Sequence, residues 1–211
     1  MKTSDFIDAL VADRRPEAAP GAALARWLIV ACVVSGAALL ASAGVRDDLA
    51  AAASTPRVLF KWLLVGTLAC VSTGASLRLA RPGLSPGAWG TGLFAVAAVM
   101  VAGIATELAL LPRAQWAIQA RGANATWCLR MIPLLAAAPL AAALLAARAG
   151  ATTRPTLAGA MAGLLAGAVG ASLYALHCTD DSPLFVACWY TLGIAVVVGI
   201  GAALGRRLLR W

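Results

Sequence analysis

Six apolar stretches, almost free of charge, divide this chain, and each approaches the roughly 20 residues needed to cross the ~30 Å hydrocarbon core of a bilayer. They run at about 26–44, 57–77, 88–111, 131–147, 156–176 and 184–205. Charge, Gly or Pro interrupts the pattern between them, from Arg46-Asp47-Asp48 to Pro56-Arg57, Arg78 to Pro86, Pro112 to Arg130, Arg148 to Pro155 and His177 to Pro183. With 62% of its 211 residues apolar and 12% charged, and a mean hydropathy of +0.85, the chain is far from a soluble domain, which is about half apolar and about a quarter charged. The fold expected is all-α: a polytopic bundle of six transmembrane helices, with no room for a sizeable soluble domain. The fourth stretch is the shortest and carries Pro133 and Pro139.

The opening residues, with Asp5, Asp8, Asp13, Arg14, Arg15 and Glu17, do not follow the basic-then-apolar order of a cleavable signal. They read as a retained tail. A formal charge of +8 raises nucleic acid as a partner, but the basic residues are scattered between apolar stretches without a patch, so no direct nucleic-acid binding is expected. In a membrane protein such charge sets orientation. Lys2, Arg14, Arg15, Arg26, Arg78, Arg81, Arg148, Arg154, Arg206, Arg207 and Arg210 fall on the side of the termini, against Arg46, Arg57, Lys61, Arg113, Arg121 and Arg130 opposite. Both termini are therefore expected in the cytoplasm, and the Lys- and Arg-free last loop, with Asp180 and Asp181, outside.

Within the stretches, Gly159, Gly163, Gly167 and Gly170 line one stripe of the fifth and allow a neighbouring helix to approach closely, which favours packing inside the bundle over dimerisation. Trp27, Trp62, Trp89, Trp127, Trp189 and Trp211 lie near span ends, where indoles sit among headgroups. A transporter keeps charge at the midplane. Here Glu107 lies near the outer end of the third stretch, and Lys61 lies one turn inside the second, where its stem can snorkel. Asp180 and Asp181 read as a solvated loop and a turn before Pro183. The sequence shows no catalytic constellation of carboxylates, no nucleophile elbow and no phosphate-cradling Gly loop on a soluble face, so neither an enzyme nor a resident cofactor is expected. A small transporter or channel is the alternative.

The five cysteines include no CxxC pair, which disfavours a thioredoxin-like site or a zinc ribbon. The six-span arrangement puts Cys128 at the outer end of the fourth span and Cys178 in the last external loop. Cys188 lies a turn inside the sixth as a possible third member, whereas Cys32 and Cys70 fall within spans as buried fillers. An external Cys pair is a structural disulfide, a redox-switched pair or a soft-metal site. His177 beside Cys178 could add an imidazole or lower the thiol pKa. On the cytoplasmic side, Thr3-Ser4 followed by an acidic turn, with Phe6, Ile7, Leu10 and Val11 on one stripe, predicts a short amphipathic helix. Too short to stand alone, it suits a protein groove better than an anionic lipid surface. Residues 1–22 thus form a partner-binding segment and linker, with Arg14-Arg15-Pro16 to Pro20 as the linker, and 23–211 the membrane domain.

The opening Met-Lys-Thr-Ser-Asp-Phe-Ile-Asp-Ala-Leu, Arg81-Pro82-Gly83, Cys128 ahead of Ile132-Pro133, and the run Tyr174-Ala-Leu-His-Cys-Thr-Asp-Asp-Ser-Pro183 before a final span ending Arg206-Arg207-Leu-Leu-Arg-Trp211 occur together over the whole chain. The sequence resembles the NrsF family of proteobacterial anti-sigma factors, which hold an extracytoplasmic-function sigma factor at the inner membrane. The resemblance implies that the N-terminal segment binds the sigma factor and that the family cysteines, matched by Cys128 and Cys178, report periplasmic redox or heavy-metal stress. Cys188 has no role in that pattern.

Overall fold

A computed structural model of the chain describes residues 3–12 and 20–210, with the side chains of Phe6, Asp8, Ala9, Leu10, Ala12 and Pro20 outside that description. Proline opens four of the six long helices, where a missing N–H is no loss and the fixed φ suits the first turn. These are α2 (Pro20–Ser42), α4 (Pro56–Leu79), α8 (Pro155–Tyr174) and the last span, which begins as α9 (Pro183–Phe185), widens into a π turn (Val186–Tyr190) and continues as α10 (Thr191–Leu208). The other two are α5 (Ala88–Leu110) and α7 (Ala125–Arg148). Three shorter helices complete the order: α1 (Thr3–Ala12), α3 (Leu49–Ala52) and α6 (Arg113–Arg121). Among the described residues there is no strand, and six helices have the length and apolarity to cross a bilayer. The protein is a multi-pass, all-α membrane bundle, as the sequence predicts.

The packing is uneven. Helices α7 and α8 are 56% buried over their apolar windows and α5 only 6%. Helix α8 is the hub, against α7, α10 and α4, while α2 lies on α7 and α5 lies at the edge against α4. The glycine stripe explains the closest of these contacts. A Cβ on Gly159 would strike the Gly201 carbonyl, one on Gly163 would lie 2.6 Å from the Val197 carbonyl, and one on Gly170 would lie 2.7 Å from that of Ile132. The stripe is thus used within the chain, to bring α8 onto α10 and α7.

Helix α7 starts six residues before the stretch read from the sequence and runs through both of its prolines. A mid-helix proline leaves the carbonyl four residues earlier without its donor, which for Pro139 is that of Leu135. The hydroxyl of Ser35 on α2 donates to this carbonyl at 2.8 Å, inside the bundle. In lipid a freed backbone group must find such a protein partner. Ser35→Ala is expected to destabilise the protein by about 1–3 kcal/mol, the cost of an unsatisfied buried acceptor. Adding Pro139→Ala, which returns the backbone donor, should recover most of the loss in thermal unfolding in detergent. A double variant no more stable than Ser35→Ala would sever the two residues.

Candidate functional site

The loop between α8 and α9 is a polar hub, held residue by residue to different elements. The Leu176 carbonyl accepts from Arg46 N–H at 3.1 Å, just beyond α2. His177 Nδ1 lies 3.2 Å from the Gly44 carbonyl. The Cys178 carbonyl accepts from Lys61 Nζ at 2.8 Å and from Arg46 Nη1 at 3.3 Å. Asp180 receives the backbone N–H groups of Ala123 and Asn124, at 3.0 and 2.7 Å, and the Asn124 amide at 3.0 Å. Asp181 pairs with Lys61 and with Arg46, the latter at 2.9 Å. Ser182 donates to Glu107 of α5 at 3.0 Å, and Arg57 pairs with the same carboxylate at 2.9 Å.

Three sequence readings are corrected here. Lys61 does not snorkel: its side chain is 0% exposed, with the ammonium between the Asp181 carboxylate and the Cys178 carbonyl. Asp180 and Asp181 are not freely solvated, because every carboxylate oxygen finds a donor. Cys70 is exposed on α4 rather than a buried filler, and Cys32 is half-buried. Sequence position gave the depth of these residues but not the face of the helix on which each lies.

Asp180 also explains how two distant thiols meet. Asn124 precedes the first turn of α7, so the Asp180 carboxylate sits at a helix N-terminus, where unpaired N–H groups and the helix dipole favour an anion. Gly122 makes this possible. Its φ is +56°, and a Cβ there would collide with Phe185 and lie 2.7 Å from the Asp180 carboxyl carbon. With the loop docked on α7, Cys178 and Cys128, the latter in the first turn of α7, join one buried cluster with Tyr174, Phe185 and Tyr190. Both thiols are free and 0% exposed.

The Cys178 thiol donates weakly to the Asp180 carbonyl at 3.7 Å. Burial pushes its pKa up, against the opposing pull of the Lys61 ammonium. In the same cluster of charges, the Arg46 hydrogen bond holds the Asp48 carboxyl below its ordinary range. Cys188 is exposed on the last span and lies outside the thiol cluster. Val186 and Tyr190, four residues apart, face inward, and Cys188, two residues from each, faces out. Among the described residues, no group of three or more His, Cys, Asp or Glu is placed to hold a metal ion.

On α1, Ile7 and Val11 are 53% and 65% exposed. The side chains of Phe6 and Leu10, and the linker read at residues 13–19, lie outside the described residues. Two large clefts flank α5. One, of about 920 Å³, opens beside Arg57, Glu107 and the 179–183 loop. The other, of about 480 Å³, is walled by Leu64, Leu68, Val96, Met100 and Ile194. Its lining is mostly apolar, with Tyr190 and Thr191 as the hydroxyl-bearing members.

Fold and site together define a multi-pass membrane protein with a thiol pair buried beneath an ionic loop. The family model for NrsF, the negative regulator of sigma F, matches residues 10–211. A probable anti-sigma-F factor NrsF of Azospira oryzae is 37% identical over 225 residues, and the anti-sigma-F factor NrsF of Caulobacter vibrioides is 40% identical over 218, each alignment covering both chains in full. The chain belongs to the NrsF family. This is a family of regulators rather than enzymes. No solved structure matches the chain.

Proposed function

We propose that the protein is an anti-sigma factor of the bacterial inner membrane, with both termini in the cytoplasm, that sequesters an extracytoplasmic-function sigma factor through Phe6, Ile7, Leu10 and Val11 of its N-terminal segment. Residues 1–22 serve as the binding segment and linker, and 23–211 as the membrane domain. Periplasmic redox or heavy-metal stress received at Cys128 and Cys178 releases the partner. His177, hydrogen-bonding distance from the Gly44 carbonyl, holds the loop, and the exposed Cys188 is left without a part in sensing. What supports the reading is the meeting of Cys128 and Cys178, separated by a full helical hairpin, in one buried cluster of a chain whose relatives are named anti-sigma-F factors.

The route from thiols to partner runs through α2. Arg46, just beyond its end, is tied by its backbone to Leu176 and by its side chain to Cys178 and Asp181, and the same helix leads back to the N-terminal segment. A reaction at Cys178 moves the carbonyl that Lys61 and Arg46 grip, so the loop and α2 shift together. The coupling requires two bundle arrangements that differ in affinity for the sigma factor. Cys128→Ser and Cys178→Ser are expected to leave sigma-factor retention intact and to abolish release under oxidant or heavy-metal challenge, read by co-purification and a sigma-dependent reporter. A normal response in both variants would refute sensing by these thiols.

A further inference from the structure

The cleft of about 920 Å³ beside α5 changes character along its depth. At its mouth, next to the 179–183 loop, stand Thr55, Arg57 and Glu107, and below them Phe60, Val99 and Gly103 form an apolar floor. Glycine at 103 lets that floor form, because a Cβ there would strike the Phe60 ring. From Glu107 down to Val99 the floor follows α5 for roughly 12 Å, at ~1.5 Å per residue.

The mouth carries one charge of each sign, and neither is fully engaged. Arg57 Nη2 pairs with Glu107 Oε1 at 2.9 Å, and Ser182 Oγ donates to that same oxygen at 3.0 Å. The other carboxylate oxygen, Oε2, accepts no hydrogen bond among the described residues, although the Glu107 side chain is only 7% exposed. Enclosing a charged acceptor without a donor is unfavourable. The Arg57 side chain is 46% exposed and, among the described residues, donates to nothing beyond this pair. Most of its N–H groups are therefore open to a ligand.

We propose that the cleft binds one phospholipid with an ethanolamine head, its ammonium donating to Glu107 Oε2, its phosphate accepting from Arg57 and an acyl chain lying over Phe60, Gly103 and Val99. A head bearing both signs matches a mouth that offers both, through charge-assisted hydrogen bonds. A phosphoglycerol head brings no cation for Glu107, and the choline ammonium has no N–H to donate. A lone anion would add negative charge beside Glu107 and Asp180, whereas a zwitterion leaves the net charge of the mouth unchanged. The floor lies at hydrocarbon depth, which a chain-bearing molecule reaches and a free head does not. Because Glu107 also holds Ser182, an occupied cleft braces the loop against α5. The site uses neither the thiols nor the sigma factor, so it stands or falls apart from the sensing reading.

Native mass spectrometry of the full chain in detergent, offered an equimolar mixture of dioleoyl lipids with ethanolamine, choline and glycerol heads, tests this. One ethanolamine lipid should be retained over each of the others by at least about fivefold, the part of a charge-assisted hydrogen bond that survives at a half-open mouth. Glu107→Gln should erase the preference for ethanolamine over choline, and Arg57→Gln should weaken retention of all three alike. Val99→Trp, at a position 51% exposed and so outside the core, should block entry of the chain. Melting of the wild type in each lipid gives a check free of variants, with the ethanolamine lipid expected to raise it above the other two. Soluble phosphoethanolamine at the same concentration should displace nothing. Equal retention of the three lipids, which is annular lipid only, overturns the proposal. A head preference that survives Glu107→Gln overturns it too, and so does displacement by the free head, which would assign the mouth to a soluble ligand.

Discussion

Asp181→Asn is expected to lower the stability of the bundle by about 3–5 kcal/mol, the usual cost of leaving a buried ion without its counter-ion. Lys61 is fully enclosed and Arg46 is only 5% exposed, and Asp181 is the carboxylate they share. Arg46 keeps Asp48 after the substitution. Lys61 keeps only carbonyl oxygens, those of Cys178 and Asp180. Thermal unfolding in detergent measures the loss, and the Lys61→Met, Asp181→Asn double variant tells whether it arises from the stranded ammonium. That variant should recover much of the stability, because removing both partners of a buried pair is far milder than removing one. In cells the single variant should release the sigma factor without stress, since it removes the ion pair among the contacts through which the loop holds the end of α2. Melting indistinguishable from wild type would show that the loop is held by other means.

The second large effect lies at the other end of the chain. Deleting residues 2–12 is expected to abolish sigma-factor retention, so that the partner no longer co-purifies from detergent and its reporter runs at the fully induced level, while the six spans still accumulate in the membrane. The exposed Ile7 and Val11 supply a finer version. Ile7→Asp with Val11→Asp should weaken retention by at least about a hundredfold if both side chains enter a hydrophobic groove, because each would place a charge where apolar area was buried. Full retention by the deletion would transfer docking to the stretches at 80–87 or 149–154.

The six crossings were legible because hydrocarbon admits few alternatives: a backbone with no water must hydrogen-bond to itself. The helix starts were partly legible, since Pro56, Pro155 and Pro183 each stand at a first turn, although Pro133 and Pro139 lie inside α7. Helix α6 was hidden, because its mixed Arg113, Gln115, Gln119 and Arg121 positions break the apolar pattern that revealed the others. Of the site, the two cysteines could be placed at one level by counting crossings. Their shared burial could not, since it depends on Asp180 docking against Ala123 and Asn124, a contact between residues far apart in sequence. The signal for it was present in Gly122, two residues before Asn124, and in the acidic loop. Only the fold joins them. Lys61 misled for the same reason, because a lone cation near a span end reads as snorkelling until its carboxylate is found in a distant loop. Tyr174 was noticed as part of a motif and Tyr190 not at all. Their burial in the cluster that holds Cys128 and Cys178 is set by the fold, which no spacing reveals.

The ionic loop also imposes an order on biogenesis. Arg46 and Lys61 are synthesised early, with the first two spans, whereas Asp181 emerges only after the fifth has been made. Throughout that interval the two cations have no Asp181 to meet. The ion pairs therefore form only after the fifth span is made, and a chain cut before Asp181 lacks them. Charges met at that loop thus record that synthesis has passed the fifth span.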